Sequence, residues 1–394
     1  MHEIHANTLL RRRVPRTLFV SYDCSAGLGS GPTMIGVLKR GLRLIDCMPP
    51  NLLVPHWLHW GQLEIDDPLI QRMAREIPPL TVPWQPGPRR NGVIPYILGI
   101  ICERATRRAG QIKYLRRLFD RLQPDLIVLG EAPLAGLLNL AHEAALDLSI
   151  PQLVIDNYYN ESQPQRFTHE WPAVNQWLLV GLSRQGQYGR IGKQTVLIPP
   201  LLTKSISPST RRVDLTILGY DSKVTELGIA LLTALPAGTT AHLIHRDLST
   251  EQIDALRLRI GVRRLSTQTM PEDLQLRDCL RGSRVVVCKN GFQQMVESLA
   301  VGTPVATYEA GGGVPQHLLN KQFQPFVTYS TPQCASDPCL ISRVKQWIDD
   351  TPTMPWTGSY EDIDDPLRLS AQLFLEAIQT CIDKQTQSTT KRMA

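Results

Sequence analysis

Compact apolar runs of strand length alternate with helix-patterned segments along nearly the whole chain, and this alternation restricts the fold more than any other feature. The series opens with "TLFVSYD" (17–23), the glycine-bearing "CSAGLGSGP", and "TMIGVLKRGLRL" (33–44), whose apolar residues recur at helical spacing. It continues through the strand "PDLIVLGE" (124–131), the helix "AGLLNLAHEAAL" (135–146) and the strand "PQLVIDN" (151–157), and closes with "WLLVG" (177–181) and "TVLIPP" (195–200). The segment "LLTKSISPSTRR" (201–212) has Ser, Thr and Pro in place of a pattern and reads as a linker. A second series follows: "VDLTILGYD" (213–221), "ELGIALLTAL" (226–235), "TTAHLIH" (239–245), "TEQIDALRLRI" (250–260), "VRRL" (262–265), "SRVVVCK" (283–289) and "PVATYE" (304–309). Strands separated by helices imply parallel sheets, because a parallel neighbour is reached only by a crossover and the helix supplies it. The expectation is an α/β fold of two Rossmann-like, doubly wound domains facing across a cleft. Their bounds are 1–200 and 213–383, with the linker between them and a polar tail at 384–394. A length of 394 residues suits two such cores better than one.

Charge separates the two halves. The formal net charge is +6, and about 22 Lys and Arg against about 16 Asp and Glu in residues 1–200 account for all of it. That suits an anionic partner on the first half (an acidic lipid surface, a phosphorylated acceptor or a nucleic acid) or simply a solvated basic face. No basic-aromatic module favours nucleic acid, so no nucleic-acid partner is expected. The start, "MHEIHANTLLRRRVPR", lacks the apolar core of a signal peptide, and "VIPYILGII" (93–101) is far too short to span a bilayer. The eight cysteines form neither a CxxC pair nor a Cys/His cluster at zinc-ligand spacing. A cytoplasmic protein with reduced cysteines is the expectation.

The stretch "VVVCKNGFQQMVESLAVGTPVATYEAGGG" (285–313) is the richest in chemistry. A valine strand runs into Lys289, Asn290 and Gly291, where a helix should begin. Free amides at a helix start, together with the dipole, form an anion site suited to a diphosphate. Asn290 fits the cap position, and Gly291 lets a phosphate approach the backbone. Glu297 follows two turns later, where a carboxylate can accept from both hydroxyls of a ribose. The alternative is that Glu297 is a surface helix residue and the glycines at 311–313 an ordinary loop.

This stretch resembles the donor-site motif of the GT-B glycosyltransferases, most of all the bacterial N-acetylglucosaminyltransferases that complete the lipid-linked peptidoglycan precursor and their glycolipid-forming relatives. In that family a Cys-Arg-Ser-Gly run opens the phosphate-binding helix, and a glutamate nine positions after the cysteine holds the ribose. Cys288-Lys289-Asn290-Gly291 and Glu297 occupy those places at the same spacing. A Gln-Gln pair followed three residues on by Asn contacts the donor sugar in the family; here Gln316 and Asn320 match and His317 departs. His245 stands where the family has a histidine ending its second C-domain strand. The family's glycine loop after the first C-domain strand is reduced to "LGYDS", Gly219 to Ser222. The resemblance is specific over 283–325 and architectural elsewhere. It implies a UDP-linked sugar as substrate, transfer to a hydroxyl acceptor with inversion, and no separate cofactor or metal, helix amides and Lys289 offsetting the diphosphate charge.

Transfer needs a base to take the acceptor's proton. Much of the family carries a histidine after the first strand's glycines, and Ser30 in "GLGSG" (27–31) takes its place here. Of the carboxylates at strand ends, Asp23 is the first candidate for the base and Glu131 the second, with Asp156 a third. Each has the alternative role of capping a helix or bonding a backbone amide. His5, His142 and His169 offer no comparable placement. The acceptor falls to the first domain, where 89–123 interleaves nine basic residues with an apolar stripe. This is either a peripheral membrane surface that presents a lipid-linked acceptor or a core helix with a solvated basic face. Two rivals remain open: a nucleotide-sugar epimerase on the same fold, and a degenerate transferase that only binds its ligand or serves as a partner subunit.

Overall fold

A computed structural model describes residues 14–22, 41–46, 48, 52–60, 68–82, 110–129, 136–157, 174–183, 187–201, 213–219, 222–245, 248–261, 264–269, 273–289, 292–308, 323–330, 337–355, 363 and 365–393. Two sheets carry the fold. The first contains β1 (Arg16–Tyr22), β2 (Val54–Trp60), β3 (Leu80–Val82), β4 (Leu126–Leu129), β5 (Gln152–Asn157), β6 (Gln176–Val180), β7 (Gly189–Arg190) and β8 (Thr195–Ile198). Their order is β3-β2-β1-β4-β5-β6-β8-β7, and all neighbours are parallel except the two-residue β7 against β8. The second sheet is wholly parallel, β11-β10-β9-β12-β13-β14, with β9 (Val213–Gly219), β10 (Ala241–His245), β11 (Leu265–Thr269), β12 (Ser283–Val287), β13 (Val305–Tyr308) and β14 (Val327–Ser330).

Central strands such as β4 (Leu-Ile-Val-Leu) and β6 (Gln-Trp-Leu-Leu-Val) are buried along their whole length. Helices cover both faces of a doubly wound sheet, so its inner strands read as continuous apolar runs. On one face of the first sheet, α3 (110–122) and α4 (Gly136–Asp147) set Leu115, Leu118, Phe119 and Ala141 against Leu18, Val20, Ile127 and Leu129. On the other, α1 (41–46) and α2 (Pro68–Glu76) set Leu42, Leu44, Ile70 and Met73 against Phe19, Trp57 and Val128. The α1 contact is tight enough to need a glycine, since a Cβ on Gly41 would come 2.2 Å from the Phe19 ring. In the second unit, α5 (Ser222–Ala234) and α9 (Pro338–Asp349) cover one face, with α6 (Thr250–Ile260) beside them. The other face belongs to α7 (Asp273–Arg281) and α8 (Phe292–Ala300).

The last helix, α10 (Pro366–Met393), crosses back to the first sheet. Phe374, Ala377, Ile378 and Cys381 are buried with Leu153, Ile155, Leu178 and Val196, the Ser370 hydroxyl donates to the carbonyl of Pro199, and Gln385 donates to that of Ser149. The expected bounds are corrected here. Residues 366–383 pack with the first sheet rather than the second, and the helix continues to Met393 through the stretch expected to be a tail. The apolar spacing of that segment specifies a helix and one buried stripe; it carries no information about which sheet receives the stripe.

In each sheet the strand order reverses beside the first strand of the series, between β1 and β4 and between β9 and β12. Ligands in open α/β sheets bind beyond the carboxyl ends of the strands at such reversals.

Candidate functional site

The reversal in the second sheet brings three candidate positions together. β9 ends at Gly219, which pairs in register with His245 at the end of β10. A Cβ on Gly219 would lie 2.8 Å from both the Leu243 methyl and the Thr225 hydroxyl, so the closeness of β9, β10 and α5 depends on the missing side chain. Three residues on in the sequence α5 begins at Ser222, which is exposed. The first turn of this helix therefore lies at the carboxyl edge of the sheet, where the helix dipole favours an anion. His245 is 4 % exposed, and its Nδ1 has no hydrogen-bond partner among the described residues. A buried ring nitrogen without a partner is costly, and such atoms mark places where a ligand or water completes the bonding.

On the other side of the reversal, β12 leads through buried Cys288 to half-buried Lys289, and α8 begins at Phe292. Asn290 and Gly291 lie between them, outside the described residues. Glu297 is 6 % exposed. Its carboxylate lies close enough to Cys288 to raise the thiol's pKa, adding to the larger effect of burial. The surface reading of Glu297 is thereby overturned. Gln294 in the first turn of α8 has a buried Oε1 without a partner among the described residues. Sequence reasoning missed it, although glutamines at 293 and 294 in the first turn of an expected anion-binding helix were a usable signal. Gln316, His317 and Asn320 lie outside the described residues.

The first sheet places the acceptor-side candidates less completely. Asp23 and Glu131 lie outside the described residues, yet the strands that they follow are neighbours, with Val20 beside Leu129. Both chain segments therefore leave the sheet at its reversal. Asp156, near the end of β5, is 4 % exposed. His142 is buried on α4, its Nδ1 2.6 Å from Gln152 Oε1, and serves the core. In α3 the apolar residues Leu115, Leu118 and Phe119 face the core while Lys113, Arg116, Arg117 and Arg121 are exposed, with Arg116 paired to Asp147. For 110–122 the stripe is thus core rather than membrane-facing; 89–109 lies outside the described residues. Leu182, just past β6, is 1 % exposed inside the cluster that holds Leu218, Ile244 and Met295. The carboxyl edge of the first sheet therefore abuts the second unit.

Among the described residues, no group of three or more His, Cys, Asp or Glu side chains could hold a metal ion, and no helix is long and apolar enough to cross a membrane.

No family model and no curated protein matches the chain. Solved structures do. MurG of Acinetobacter baumannii superposes with a TM-score of 0.57 at 14% identity, over 93% of this chain and 99% of that one. The glycotransferase of kitacinnamycin gives 0.52 at 14% identity, over 93% and 100%. UDP-GlcNAc 2-epimerase from Neisseria meningitidis, solved with UDP-GlcNAc bound, gives 0.52 at 11% identity, over 92% and 99%. Identities this low speak to architecture and leave chemistry to the site. The chain has the GT-B fold, two Rossmann-like units with parallel sheets, as these glycosyltransferases and this epimerase do.

Proposed function

We propose that this protein transfers a sugar from a nucleotide-sugar donor, most naturally UDP-linked, to a hydroxyl acceptor. The observation that carries the reading is the burial of Glu297 one helix start away from the reversal of the second sheet. A carboxylate held at this place in the helix that opens the motif, nine positions after Cys288, suits the two hydroxyls of a ribose. Lys289, Asn290, Gly291, Gly219 and Ser222 take the diphosphate, while His245, Gln316, His317 and Asn320 take the sugar. Asp23, with Glu131 as second choice, removes the acceptor's proton and the transfer inverts the anomeric centre. Helix amides and Lys289 offset the leaving group's charge without a metal. The acceptor lies on the first unit, is lipid-linked, and is met by the cytoplasmic protein at the inner membrane face through 89–109 and the exposed basic side of α3.

One observation favours a second reading. The unpartnered Nδ1 of His245 is a proton-handling group beside the sugar site, as an epimerase acting on the donor alone requires, and one structure with this fold is such an epimerase.

The test is a thermal titration with UDP, GDP, TDP and their common sugars, repeated on Glu297→Ala. Selective stabilisation by one nucleotide, lost in the variant, is the expected result. Product analysis then separates transfer or hydrolysis from epimerisation. No stabilisation by any of these ligands would remove both readings.

A further inference from the structure

Among the described residues, one apolar side chain of the first unit is buried in a core of the second. Leu182, two residues past the end of β6, is 1 % exposed and belongs to the cluster of Leu218, Ile244, Cys288 and Met295. Every other fully buried member of that cluster lies between Leu218 and Met354. The chain on both sides of Leu182 is fastened to the first unit. The Gly181 amide donates to the carbonyl of Ile198, the last residue of β8, at 3.1 Å. Ser183 Oγ accepts the Gln187 amide at 3.1 Å, and the Ser183 amide donates to the Tyr188 hydroxyl at 3.5 Å. Tyr188 in turn packs against the cluster on the first sheet that holds Phe119 and Trp177. The leucine is thus carried on a bonded stem of one unit and seated in the other.

The seat is built from chain neighbours of the candidate donor positions. Leu218 directly precedes Gly219, Ile244 precedes His245, Cys288 precedes Lys289, and Met295 lies two residues before Glu297. A residue needed only to fill this core could come from the second unit's own chain. Supplied from the first unit, it leaves the core whenever the units part, and water then meets both the leucine and its seat, which opposes parting. Every side chain in the contact belongs to this chain, so the fastening needs no ligand.

We propose that Leu182 is an inter-unit clasp that holds the carboxyl edge of the first sheet against the donor edge of the second, with or without nucleotide. The donor site is then preorganised: a nucleotide binds without first drawing the units together, and its affinity is not lowered by a closing step. The nucleotide part of this inference rests on the transferase reading above, whereas the clasp itself does not.

The test compares the full-length parent with Leu182→Ala and Leu182→Met. Small-angle scattering gives the radius of gyration with and without UDP, GDP or TDP, each nucleotide is titrated for its Kd, and urea unfolding follows the second unit. The parent should keep one radius throughout. Leu182→Ala should be larger without nucleotide and return to the parent radius with it. Its nucleotide Kd should be about tenfold weaker, because the truncation removes a preference for the clasped state of at least that order. Leu182→Met refills the seat and should match the parent in both measurements. The clasp is overturned if Leu182→Ala keeps the parent radius without nucleotide, or if the parent contracts on binding as much as that variant does. It is equally overturned if the second unit's urea transition falls in Leu182→Ala and methionine does not restore the radius, since the leucine would then only fill a core. A larger radius with an unchanged Kd overturns the preorganisation. A parent that binds none of the nucleotides removes the transferase reading, and the radii without nucleotide still decide the clasp.

Discussion

The two sheets share a plan and differ at their carboxyl edges. At the second, polar atoms are buried and left open: His245 Nδ1 and Gln294 Oε1 have no partner among the described residues, and the strand beside them ends in a glycine that no side chain can replace without displacement. At the first, the buried polar groups near the strand ends bond one another, Trp57 to Ser21 and Ser21 to His59. Side-chain bonds between neighbouring strands tie β1 and β2 together at that edge. The units also differ in how they are completed. The clusters of the second are built chiefly from residues 215–354, whereas one face of the first is finished by a helix from the far end of the chain.

The largest expected effect would sharpen that last contrast. Phe374→Ala removes a ring 1 % exposed from the cluster on the first sheet and should cost about 3–5 kcal/mol. Urea unfolding should show the early loss of a first transition while a later one, from the second unit, stays in place; a uniform shift of a single transition would break the comparison. Next comes ligand linkage. At a hundred times its dissociation constant a nucleotide adds about 2.7 kcal/mol of stability, and Glu297→Ala should abolish this gain while His59→Phe leaves it intact. Gly219→Ala should cost about 1–3 kcal/mol by overpacking against Leu243 and Thr225, and should weaken nucleotide binding in the same titration.

The smallest effects concern thiols. Burial pushes the Cys381 thiol up to about 12. The folded chain therefore keeps a proton that the unfolded chain releases above the ordinary thiol range. The stability from this group is full below that range and is lost as pH rises toward 12, so Cys381→Ala should flatten the alkaline part of the stability curve. In single-cysteine versions, exposed Cys339 should be alkylated at once at pH 8. Buried Cys288 and Cys381 should react only as their own unit opens, giving each unit a separate reporter.

Much of the second unit was legible from sequence. The helix expected at 250–260 is α6 from Thr250 to Ile260, and the strands expected at 213–221 and 283–289 are β9 and β12 with trimmed ends. The helices α7 and α9 and the strand β14 were not among the expected elements, and β11 was misplaced. The apolar weight of "VRRL" draws the expectation to 262–265, but the strand is Leu265–Thr269, a polar edge run in which only Leu265 is buried. In the first unit β2 escaped notice, and His59 with it. Val54-Pro-His-Trp-Leu-His-Trp60 holds a proline and two histidines, which argue against an inner strand. The fold tolerates Pro55 because β3 joins β2 only from Leu58 onward, so no ladder bond is needed from its missing N–H on that side. The donor motif was readable because a short run fixes both a helix start and the carboxylate two turns on. The pairing of Ser21 with His59 was not, because 38 residues and a strand register separate them.

The return of α10 to the first sheet has a consequence for how the chain is made. A ribosome releases residues 1–201 long before Phe374 and Ile378, so the unit that is synthesised first is the one finished last. Until α10 arrives, the apolar face of β5, β6 and β8 waits uncovered, while the second unit can already close around its own helices. The emerging chain thus needs either a chaperone's cover for that face or a fast second unit that delivers α10 promptly.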